Sequence, residues 1–258
     1  MLWQGSHDEG TIEKVEPRRN LFYRQDEVRT KSFAANLDLV LILVAAEPDF
    51  SESQLARALI AADAEKISAI VALNKRDLVE PFARAWARLL PYRGMQYDVL
   101  PLSLKQSGTG DRDLLQKHLD GKATLVLGPS GAGKSTLINL LVPSALAQTG
   151  EISQALHSGK HTTTSTSWYW VDKARGTALI DSPGFQEFGL NHIEPMQLAG
   201  CMRDLKAHLG QCKFYNCTHL HEPGCGVMAA VGTADGIAPT RYRIYQELFA
   251  ELSQPKRF

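Results

Sequence analysis

The strongest chemical signal in the sequence is a glycine-rich loop that ends in a lysine and a serine. Residues 128–136 read GPSGAGKST, which fits the pattern G-x-x-x-x-G-K-[ST]. In such loops backbone N–H groups wrap phosphate oxygens, the lysine neutralises the β and γ oxygens, and the serine can ligate Mg²⁺. An apolar segment before the loop and an amphipathic one after it supply the expected strand and helix. The predicted phosphate-binding residues are Gly128, Pro129, Ser130, Gly131, Ala132, Gly133, Lys134, Ser135 and Thr136.

A second stretch, residues 74–77, has the composition of a guanine-binding loop. It fits the pattern N-K-x-D and follows the apolar segment ISAIVAL, which predicts a strand. The carboxylate of Asp77 can accept hydrogen bonds from guanine N1–H and N2–H₂, whereas adenine presents no such pair of donors. In parallel sheets, ligands collect at the carboxyl ends of the strands. The predicted base-binding residues here are Asn74, Lys75, Arg76 and Asp77.

The segment PLSLK, residues 101–105, follows the next predicted strand. Through Ser103 and Leu104 it could present a backbone N–H to guanine O6, and a plain strand end explains it equally well. Both residues are included in the predicted base site.

Two further loops could complete a site for GTP hydrolysis. Asp181-Ser-Pro-Gly184 follows the apolar segment GTALI, so Asp181 could hold Mg²⁺ through water while the Gly184 N–H faces the γ-phosphate. The loop GKHTTTSTS, residues 159–167, lies where a threonine should complete the Mg²⁺ shell, and Thr162, Thr163 and Thr164 are all candidates. The predicted catalytic residues are Lys134, Ser135, Asp181 and Gly184, with Thr163 representing the three threonines.

The position after Gly184 differs from that of many GTPases. A water-orienting glutamine commonly follows D-x-x-G directly, whereas this chain has Phe185 there and Gln186 one position later. A phenylalanine cannot polarise water, so we expect slow intrinsic hydrolysis, on the order of 10⁻⁴ to 10⁻² per second. A partner is then needed to complete the catalytic site.

A cluster of cysteines and histidines near the C-terminus, CKFYNCTHLHEPGC, predicts a metal site. Three thiolates and one imidazole make a closed tetrahedral Zn²⁺ site, which a small unit with little core needs. His221 is the alternative to His219 as the histidine ligand. Cys201 lies outside the cluster on a predicted helix, where we expect a core residue. The predicted ligands are Cys212, Cys217, His219 and Cys225.

Strands and helices alternate in the part of the chain that must position these loops. LDLVLILVAA (37–46) predicts a buried strand, and SESQLARALIAADAEK (51–66) predicts a helix in which Ser51 and Gln54 are spaced as a capping box. The same succession continues up to the helix after the phosphate loop, which favours a mainly parallel sheet with helices on both faces. STSWYWVDKARGTALIDSPG predicts two strands around a turn, and hence an antiparallel edge.

The motifs occur in an unusual order, because the base-binding stretch precedes the phosphate loop. Since the sheet positions the loops whatever their order along the chain, we predict an α/β fold with a circularly permuted P-loop GTPase domain. We expect a segment of short strands at residues 1–33, the permuted GTPase domain at residues 34–193 and a helical zinc-binding domain at residues 194–258. The last of these contains the predicted helices IEPMQLAGCMRDLKAHL and PTRYRIYQELFAEL. The chain leaves the GTPase domain just after Gly184, so the nucleotide state could act directly on the zinc-binding domain.

Composition excludes several classes of protein. The chain has 258 residues, 44% hydrophobic and 22% charged, which is enough to bury a core. Its longest apolar run is too short to cross a bilayer and its N-terminus lacks the order of a signal peptide, so we expect a cytoplasmic protein without a membrane partner. The formal net charge is zero, so any contact with RNA must come from local patches.

In combination the motifs resemble the RsgA (YjeQ) family of ribosome small subunit-dependent GTPases along nearly the whole chain. The resemblance rests on the permuted order and on FAANLD, GPSGAGKST, HTTT, DSPGFQEFGL and CKFYNCTHLHEPGC followed by RYRIYQEL. It implies a late-stage maturation factor of the small ribosomal subunit, whose GTP hydrolysis that subunit stimulates. It also places the four predicted zinc ligands at the family's ligand positions. His161 becomes a candidate catalytic residue, with a surface histidine as the equal alternative.

The family has an N-terminal OB-fold, of which residues 1–33 can supply only the last strands. We therefore expect either a partial barrel or the end of one that starts earlier. The expected cofactors are GTP or GDP, Mg²⁺ held through Ser135 and Asp181, and one structural Zn²⁺. The expected partners are the small ribosomal subunit and its rRNA, and the expected state is a monomer.

For the RNA contact we predict basic residues near both ends of the chain, with a solvated surface as the equal alternative. They are Arg18, Arg19, Arg24, Arg29, Lys31, Arg241, Arg243, Lys256 and Arg257. Two other functions stay open at this point. One is a P-loop ATPase or nucleotide kinase, which competition of GTP binding by excess ATP would reveal. The other is a non-enzymatic zinc RNA-binding protein with an inactive GTPase domain, which a turnover assay with and without small subunits would reveal.

Overall fold

Two β-hairpins begin the described part of the chain. The structure, a computed structural model, describes residues 2–6, 9–27, 29–106, 109–145, 166–184 and 188–255. Strands β1 (Leu2–Ser6) and β2 (Glu9–Lys14) pair antiparallel, and so do β3 (Leu21–Gln25) and β4 (Thr30–Ala35). Each pair forms a two-stranded sheet of its own. The predicted short strands are therefore present, and their membership in an OB-fold stays a prediction.

A six-stranded sheet positions the predicted site. Its strands are β5 (Leu39–Ala45), β6 (Ser68–Asn74), β7 (Asp98–Pro101), β8 (Ala123–Leu127), β9 (Ser167–Asp172) and β10 (Thr177–Asp181). They lie in the order β7-β6-β5-β8-β10-β9, and each neighbouring pair is parallel except β10 and β9. This confirms the prediction of a mainly parallel sheet with an antiparallel edge.

The helices of the sheet region follow the strands as predicted. They are α1 (Glu52–Ala64), α2 (Val79–Arg88), α3 (Leu90–Gly94), α4 (Thr109–Leu119) and α5 (Lys134–Leu141). Ser51 caps α1, because its hydroxyl accepts a hydrogen bond from the Gln54 N–H at 3.3 Å. Within the described residues, none of the helices has the length and apolar character that crossing a membrane requires.

Hydrophobic cores cover both faces of the six-stranded sheet. Every residue of β5 is buried, as expected for a central parallel strand, and its side chains alternate between the two faces. On one face Leu41 packs in a core with residues of α4 and α5. On the other face Ile42 belongs to a larger core that includes α1, Phe22 of β3 and Tyr245 near the C-terminus. The larger core therefore joins the N-terminal and C-terminal parts to the sheet.

The C-terminal part contains short helices and one long one. These are α6 (Arg203–Lys206), α7 (Gly226–Ala230) and α8 (Pro239–Leu252), which confirms the predicted last helix. The prediction of one helix over IEPMQLAGCMRDLKAHL is wrong, since Pro195–Cys201 is a 3₁₀ helix and Met202 has extended backbone angles, φ −116° and ψ 110°. The extended Met202 is 1% exposed, so the break buries its side chain in the core. Gly200, two residues before Met202, weakens a helix by about 1 kcal/mol relative to alanine.

Arg241 on α8 is buried, so the prediction that it contacts RNA is wrong. Its guanidinium donates to both carboxylate oxygens of Asp204, at 2.9 and 3.2 Å, and lies 5.1 Å from the centre of the Tyr92 ring. The residue is only 2% exposed. Arg243 on the same helix is exposed and stays a candidate for that contact. The predicted contacts Lys256 and Arg257 lie outside the described residues.

Candidate functional site

Asn74 ends β6 and joins two of the predicted loops. Its side chain is buried, and Nδ2 donates a hydrogen bond to the Ala132 carbonyl oxygen of the phosphate loop at 2.9 Å. Its Oδ1 accepts a hydrogen bond from the Leu104 N–H at 3.1 Å, in the loop after β7. The amide therefore binds protein atoms and fixes the phosphate loop relative to the predicted base-binding loop.

The residues after Asn74 line a cleft that could hold a planar base. Arg76, Asp77, Ser103 and Gln106 surround a cavity of about 260 Å³. The Ser103 hydroxyl donates to Asp77 Oδ1 at 2.8 Å and so orients the carboxylate. Asp77 itself is exposed to the cleft, which leaves it accessible to hydrogen-bond donors of a ligand.

Backbone N–H groups of the loop after β7 donate to other groups of the protein. The N–H of Ser103 donates to the Asp111 carboxylate, and the N–H of Leu104 donates to Asn74. Both donors are thus engaged within the protein, and donation of either N–H to guanine O6 stays a prediction. Ser103 also contributes its hydroxyl to Asp77.

Lys75 lies between these residues with a left-handed backbone, φ 70°. Burial lowers the pKa of its ammonium, and the neighbouring Lys105 lowers it further, whereas Glu47 and Asp77 raise it. An anion bound close by would therefore stabilise the charged form of Lys75.

Asp111, in the first turn of α4, contacts both walls of the cleft and is missed by the sequence analysis. Its side chain is buried, one carboxylate oxygen accepts from the Ser103 N–H, and the other lies 3.9 Å from the Arg76 guanidinium. The sequence gives little sign of this role, because an acidic residue in the first turn of a helix is common on protein surfaces.

Two glycines of the phosphate loop between β8 and α5 lie too close to neighbouring atoms to carry a side chain. A Cβ at Gly128 would lie 2.2 Å from the Leu43 carbonyl oxygen, and one at Gly133 would lie 2.4 Å from Asn74 Nδ2. Gly133 also has a left-handed φ of 108° and is the N-cap residue of α5. Only glycine suits these two positions, and the N–H groups of the first turn of α5 face the loop. The remaining predicted residues lie in this turn or in that first turn: Pro129, Ser130, Gly131, Ala132, Lys134, Ser135 and Thr136.

The ammonium of Lys134 lies inside the phosphate loop. Its Nζ donates to the carbonyl oxygens of Gly128 and Pro129, at 2.7 and 3.0 Å. Burial lowers the pKa of Lys134 to about 8, although the carboxylate of Asp181 raises it. A Cβ at Gly184 would lie 3.2 Å from the same Nζ, so the loop after β10 is adjacent. A phosphate placed here would stabilise the ammonium form.

Asp181 ends β10 beside the phosphate loop. It is buried and pairs in register with Val126 of β8, two residues before the loop begins. The Ser182 hydroxyl donates to the Val126 carbonyl oxygen at 2.9 Å and fixes the turn that follows. Mg²⁺ prefers hard oxygen ligands, and the carboxylate of Asp181 and the hydroxyl of Ser135 on α5 are groups of that kind. The residues present therefore suit a magnesium ion bound with a nucleotide.

Several predicted residues lie outside the described part of the chain. They are the catalytic candidates His161 and Thr163, the neighbouring Thr162 and Thr164, and Phe185 and Gln186 after Gly184. Their roles stay predictions.

The segment that follows Gly184 contacts the hairpin of β3 and β4, which we call the N-terminal hairpin. The Gln25 N–H donates to the Gly189 carbonyl oxygen at 3.0 Å, and the Asn191 N–H donates to the Gln25 carbonyl oxygen at 2.9 Å. A Cβ at Gly189 would lie 2.4 Å from that Gln25 oxygen, so only glycine allows this close approach. The predicted γ-phosphate loop is thus five residues from a backbone contact with β3.

Phe188 and Arg57 extend this contact to both ends of the chain. The Phe188 ring lies 5.7 Å from the ring of Phe22 and 6.0 Å from that of Phe33, measured between ring centres. The Arg57 guanidinium donates to the Phe188 carbonyl oxygen at 3.2 Å and to the Glu251 carboxylate of α8 at 2.8 Å. We call Gln25, Arg57, Phe188 and Gly189 the junction, because they link the segment after Gly184 to the N-terminal hairpin and to the last helix.

The predicted metal ligands come together in the C-terminal part. Their ligand atoms all lie within 4.8 Å of one another. His219 Nδ1 is 3.5 Å from the Sγ atoms of both Cys212 and Cys225, and those two sulfurs are 3.9 Å apart. A tetrahedral Zn²⁺ with ordinary bond lengths has S···N edges of about 3.6 Å and S···S edges of about 3.8 Å. The four groups, Cys212, Cys217, His219 and Cys225, therefore have the spacing of a zinc site, and His221 lies exposed outside it.

The pKa shifts of two predicted metal ligands are also consistent with a bound metal cation. Burial raises the pKa of Cys217 to about 12, and the neighbouring thiols raise it as well. Burial lowers the pKa of His219, which keeps its imidazole in the neutral form that ligates metals. A cation is therefore what would hold the cysteines as thiolates. Cys201 lies outside the cluster, half-buried, and burial raises its pKa too.

Glu222 organises the loop around the predicted metal ligands and is not found by sequence reasoning. Its carboxylate accepts from the N–H and hydroxyl of Thr218, at 2.8 and 2.6 Å. Although burial raises the pKa of Glu222, the hydrogen bonds from Thr218 hold it well below the usual range. Tyr242 and Tyr245 of α8 donate to the carbonyl oxygens of His219 and Thr218, each at 2.7 Å, and so attach the loop to the last helix.

Comparison with known sequences agrees with this arrangement. The family model of the RsgA GTPase matches residues 15–191. The small ribosomal subunit biogenesis GTPase RsgA of Variovorax paradoxus (strain S110) is 75% identical over 257 residues, which cover 98% of this chain and 81% of the relative. The protein of the same name from Burkholderia mallei (strain ATCC 23344) is 52% identical over 250 residues, which cover 96% of this chain and 78% of the relative.

Two solved structures are similar as well. YjeQ from Thermotoga maritima has a TM-score of 0.75 and 30% identity, over 95% of this chain and 80% of that one. YloQ, described as a circularly permuted GTPase, has a TM-score of 0.73 and 26% identity, over 99% of this chain and 80% of that one. These likenesses confirm the prediction of an α/β fold of the circularly permuted GTPase type. On the family match and the identity to its relatives, the chain belongs to the RsgA GTPase family.

Proposed function

We propose that this protein hydrolyses GTP to GDP and phosphate, binds the small ribosomal subunit and acts in its late maturation. The observation that carries the nucleotide assignment is the pair of hydrogen bonds at the Asn74 amide, which donates to the Ala132 carbonyl oxygen and accepts from the Leu104 N–H. These bonds hold a phosphate loop and a base cleft at one edge of the sheet. The ribosomal assignment is supported by the function that the names of the curated relatives give. We further propose that it acts as a cytoplasmic monomer and contacts rRNA.

In the proposed site Asp77 binds guanine. One carboxylate oxygen is oriented by the Ser103 hydroxyl at 2.8 Å, and the carboxylate accepts the guanine N1–H and 2-amino donors. Adenine offers no such pair of donors at these positions. The geometry at Asp77 therefore supports GTP over ATP as the substrate, which argues against the alternative of an ATPase or nucleotide kinase.

The phosphates bind where Lys134 lies. Its ammonium and the N–H groups at the start of α5 contact the β and γ oxygens, and Ser135 with Asp181 would hold Mg²⁺. When bound, that ion neutralises charge on the phosphates as the γ-phosphoryl group leaves. Gly184 lies next to Lys134. Its N–H is proposed to face the γ-phosphate, and His161 and Thr163 are proposed to complete the site.

The cluster of Cys212, Cys217, His219 and Cys225 would hold a structural Zn²⁺. All four ligand positions are filled by protein groups, so no position is left for a substrate, and the role of such a closed site is to stabilise the fold. The exposed Arg243 on α8 and the exposed basic residues near the N-terminus are the proposed RNA contacts, among them Arg18, Arg29 and Lys31.

The junction connects the loop next to the nucleotide site with both ends of the chain. Phe188 and Gly189 follow the γ-phosphate loop closely and are attached to the N-terminal hairpin and, through Arg57, to α8. A ligand-dependent movement of the loop would change both attachments together. We therefore propose that the GTP form has the arrangement that the small subunit binds.

Turnover and association with purified small subunits test this function. We expect the subunit to accelerate GTP hydrolysis at least tenfold, about 1.4 kcal/mol of barrier. We also expect the protein to co-sediment more strongly with the subunit in a non-hydrolysable GTP analogue than in GDP, and less at high salt, since phosphate contacts release counterions. Hydrolysis that is indifferent to small subunits at low salt, together with equal association in both nucleotides, would contradict the ribosomal assignment.

A further inference from the structure

We propose that Asp111 is a positioning residue that sets the selectivity for guanine, acting through Ser103 on Asp77. The inference rests on the proposed role of Asp77 as the guanine-binding residue. Asp111 lies on a different element, α4, and affects recognition of the base through Ser103 without touching the ligand.

Asp111 is an acidic residue that is buried. The Asp111 residue is 3% exposed, and a carboxylate removed from water needs partners that compensate for its lost hydration. By contrast Asp113, two positions later on the same helix, is exposed to solvent, as surface carboxylates usually are. The burial of Asp111 therefore indicates a specific set of contacts.

The contacts of Asp111 come from two different loops. One oxygen of Asp111 accepts the Ser103 N–H, and the other is 3.9 Å from the Arg76 guanidinium. Ser103 belongs to the loop after β7 and Arg76 to the loop after β6, and both residues line the 260 Å³ cleft. One buried carboxylate thus contacts both walls of the proposed base cleft, through the backbone of Ser103 and the side chain of Arg76.

Ser103 connects Asp111 to Asp77. The Ser103 residue held by Asp111 donates its hydroxyl to Asp77 Oδ1 at 2.8 Å. Reading guanine requires the Asp77 carboxylate to align with two donors at once, N1–H and the 2-amino group. Inosine lacks the 2-amino group and needs only one alignment. Loss of the Asp111 contact should therefore weaken guanine recognition more than inosine recognition.

The experiment measures dissociation constants of the full chain for GDP and for inosine diphosphate by calorimetric titration. Asp111→Asn keeps the shape of the side chain and removes its charge, which weakens the hydrogen bond from Ser103 and releases Arg76. We expect GDP to bind about tenfold more weakly and inosine diphosphate about twofold more weakly, so that selectivity falls about fivefold. Asp113→Asn is the matched control and should leave both constants unchanged.

A double-mutant cycle separates positioning from a general loss of structure. If Asp111 acts through Ser103, adding Asp111→Asn to Ser103→Ala should lower the selectivity no further than Ser103→Ala alone does. Equal weakening of both nucleotides by Asp111→Asn, or additive losses of selectivity in the cycle, would overturn the proposal. A wild-type protein that does not prefer GDP to inosine diphosphate would instead overturn the proposed role of Asp77, and this inference with it.

Discussion

Replacing Asn74 with alanine should lower both the stability of the fold and the affinity for guanine nucleotides. The side chain makes hydrogen bonds of 2.9 Å to the Ala132 carbonyl and 3.1 Å from the Leu104 N–H. Both partner residues are buried, 1% and 7% exposed, so each group would lose its partner without gaining full hydration. A buried polar group left unpaired costs about 1–3 kcal/mol, and two such groups give a loss of about 2–6 kcal/mol in the free energy of unfolding.

Urea unfolding measures this loss, since a lower midpoint at an unchanged slope reports stability alone. Titration with GDP measures the second effect, and we expect at least tenfold weaker binding because the phosphate loop and the base cleft are no longer held together. Asn216→Ala, at an exposed asparagine in the C-terminal part, is the control and should change neither quantity. An Asn74→Ala protein with the unfolding midpoint and GDP affinity of the wild type would refute the claim that Asn74 joins the two loops.

Charge and burial lead to three further predictions. Burial lowers the pKa of Lys134 to about 8, and phosphates bind its ammonium form. The affinity for GDP should therefore be constant below pH 8 and fall above it, by up to about tenfold per pH unit. A GDP affinity that does not change from pH 7 to pH 9 would count against this prediction. Arg241→Met breaks the buried ion pair with Asp204 and should lower the free energy of unfolding by about 3–5 kcal/mol. The control Arg243→Met should lower it by less than about 0.5 kcal/mol. Equal unfolding midpoints of the two variants would contradict this prediction. The purified protein should carry one Zn²⁺ that Cys217→Ala loses and Cys201→Ala keeps, and metal analysis that finds no zinc would exclude the site.

Local patterns were sufficient to predict the sheet and the order of its loops. The apolar run of β5, the Ser51 cap of α1 and the glycine-rich turn before Lys134 each depend on residues that are neighbours in the sequence. The carboxyl ends of parallel strands meet at one edge, so motifs that follow β6, β7, β8 and β10 could be assigned to one place. The permutation was predictable for the same reason.

Contacts between distant residues were not predictable from these patterns. Arg241 has the sequence context of a solvated helix residue, and its partner Asp204 lies 37 residues earlier, so its burial was missed. The sequence allows a backbone N–H of Ser103 or Leu104 to face a base, but it does not show that these groups donate to Asp111 and Asn74. The attachment of Gly189 to β3 likewise depends on a strand more than 160 residues away. In each case the missing information is the tertiary partner.

An exchange of base specificity tests most directly the claim that the permuted loops assemble a guanine nucleotide site. The carboxylate of Asp77 is proposed to accept two hydrogen bonds from guanine, and such charge-assisted bonds contribute about 1.5–3 kcal/mol each. Measured dissociation constants of Asp77→Asn should therefore show GTP binding weakened by about a hundredfold or more and xanthosine triphosphate binding improved. GTP affinity equal to that of the wild type, with no gain for xanthosine triphosphate, would contradict the account.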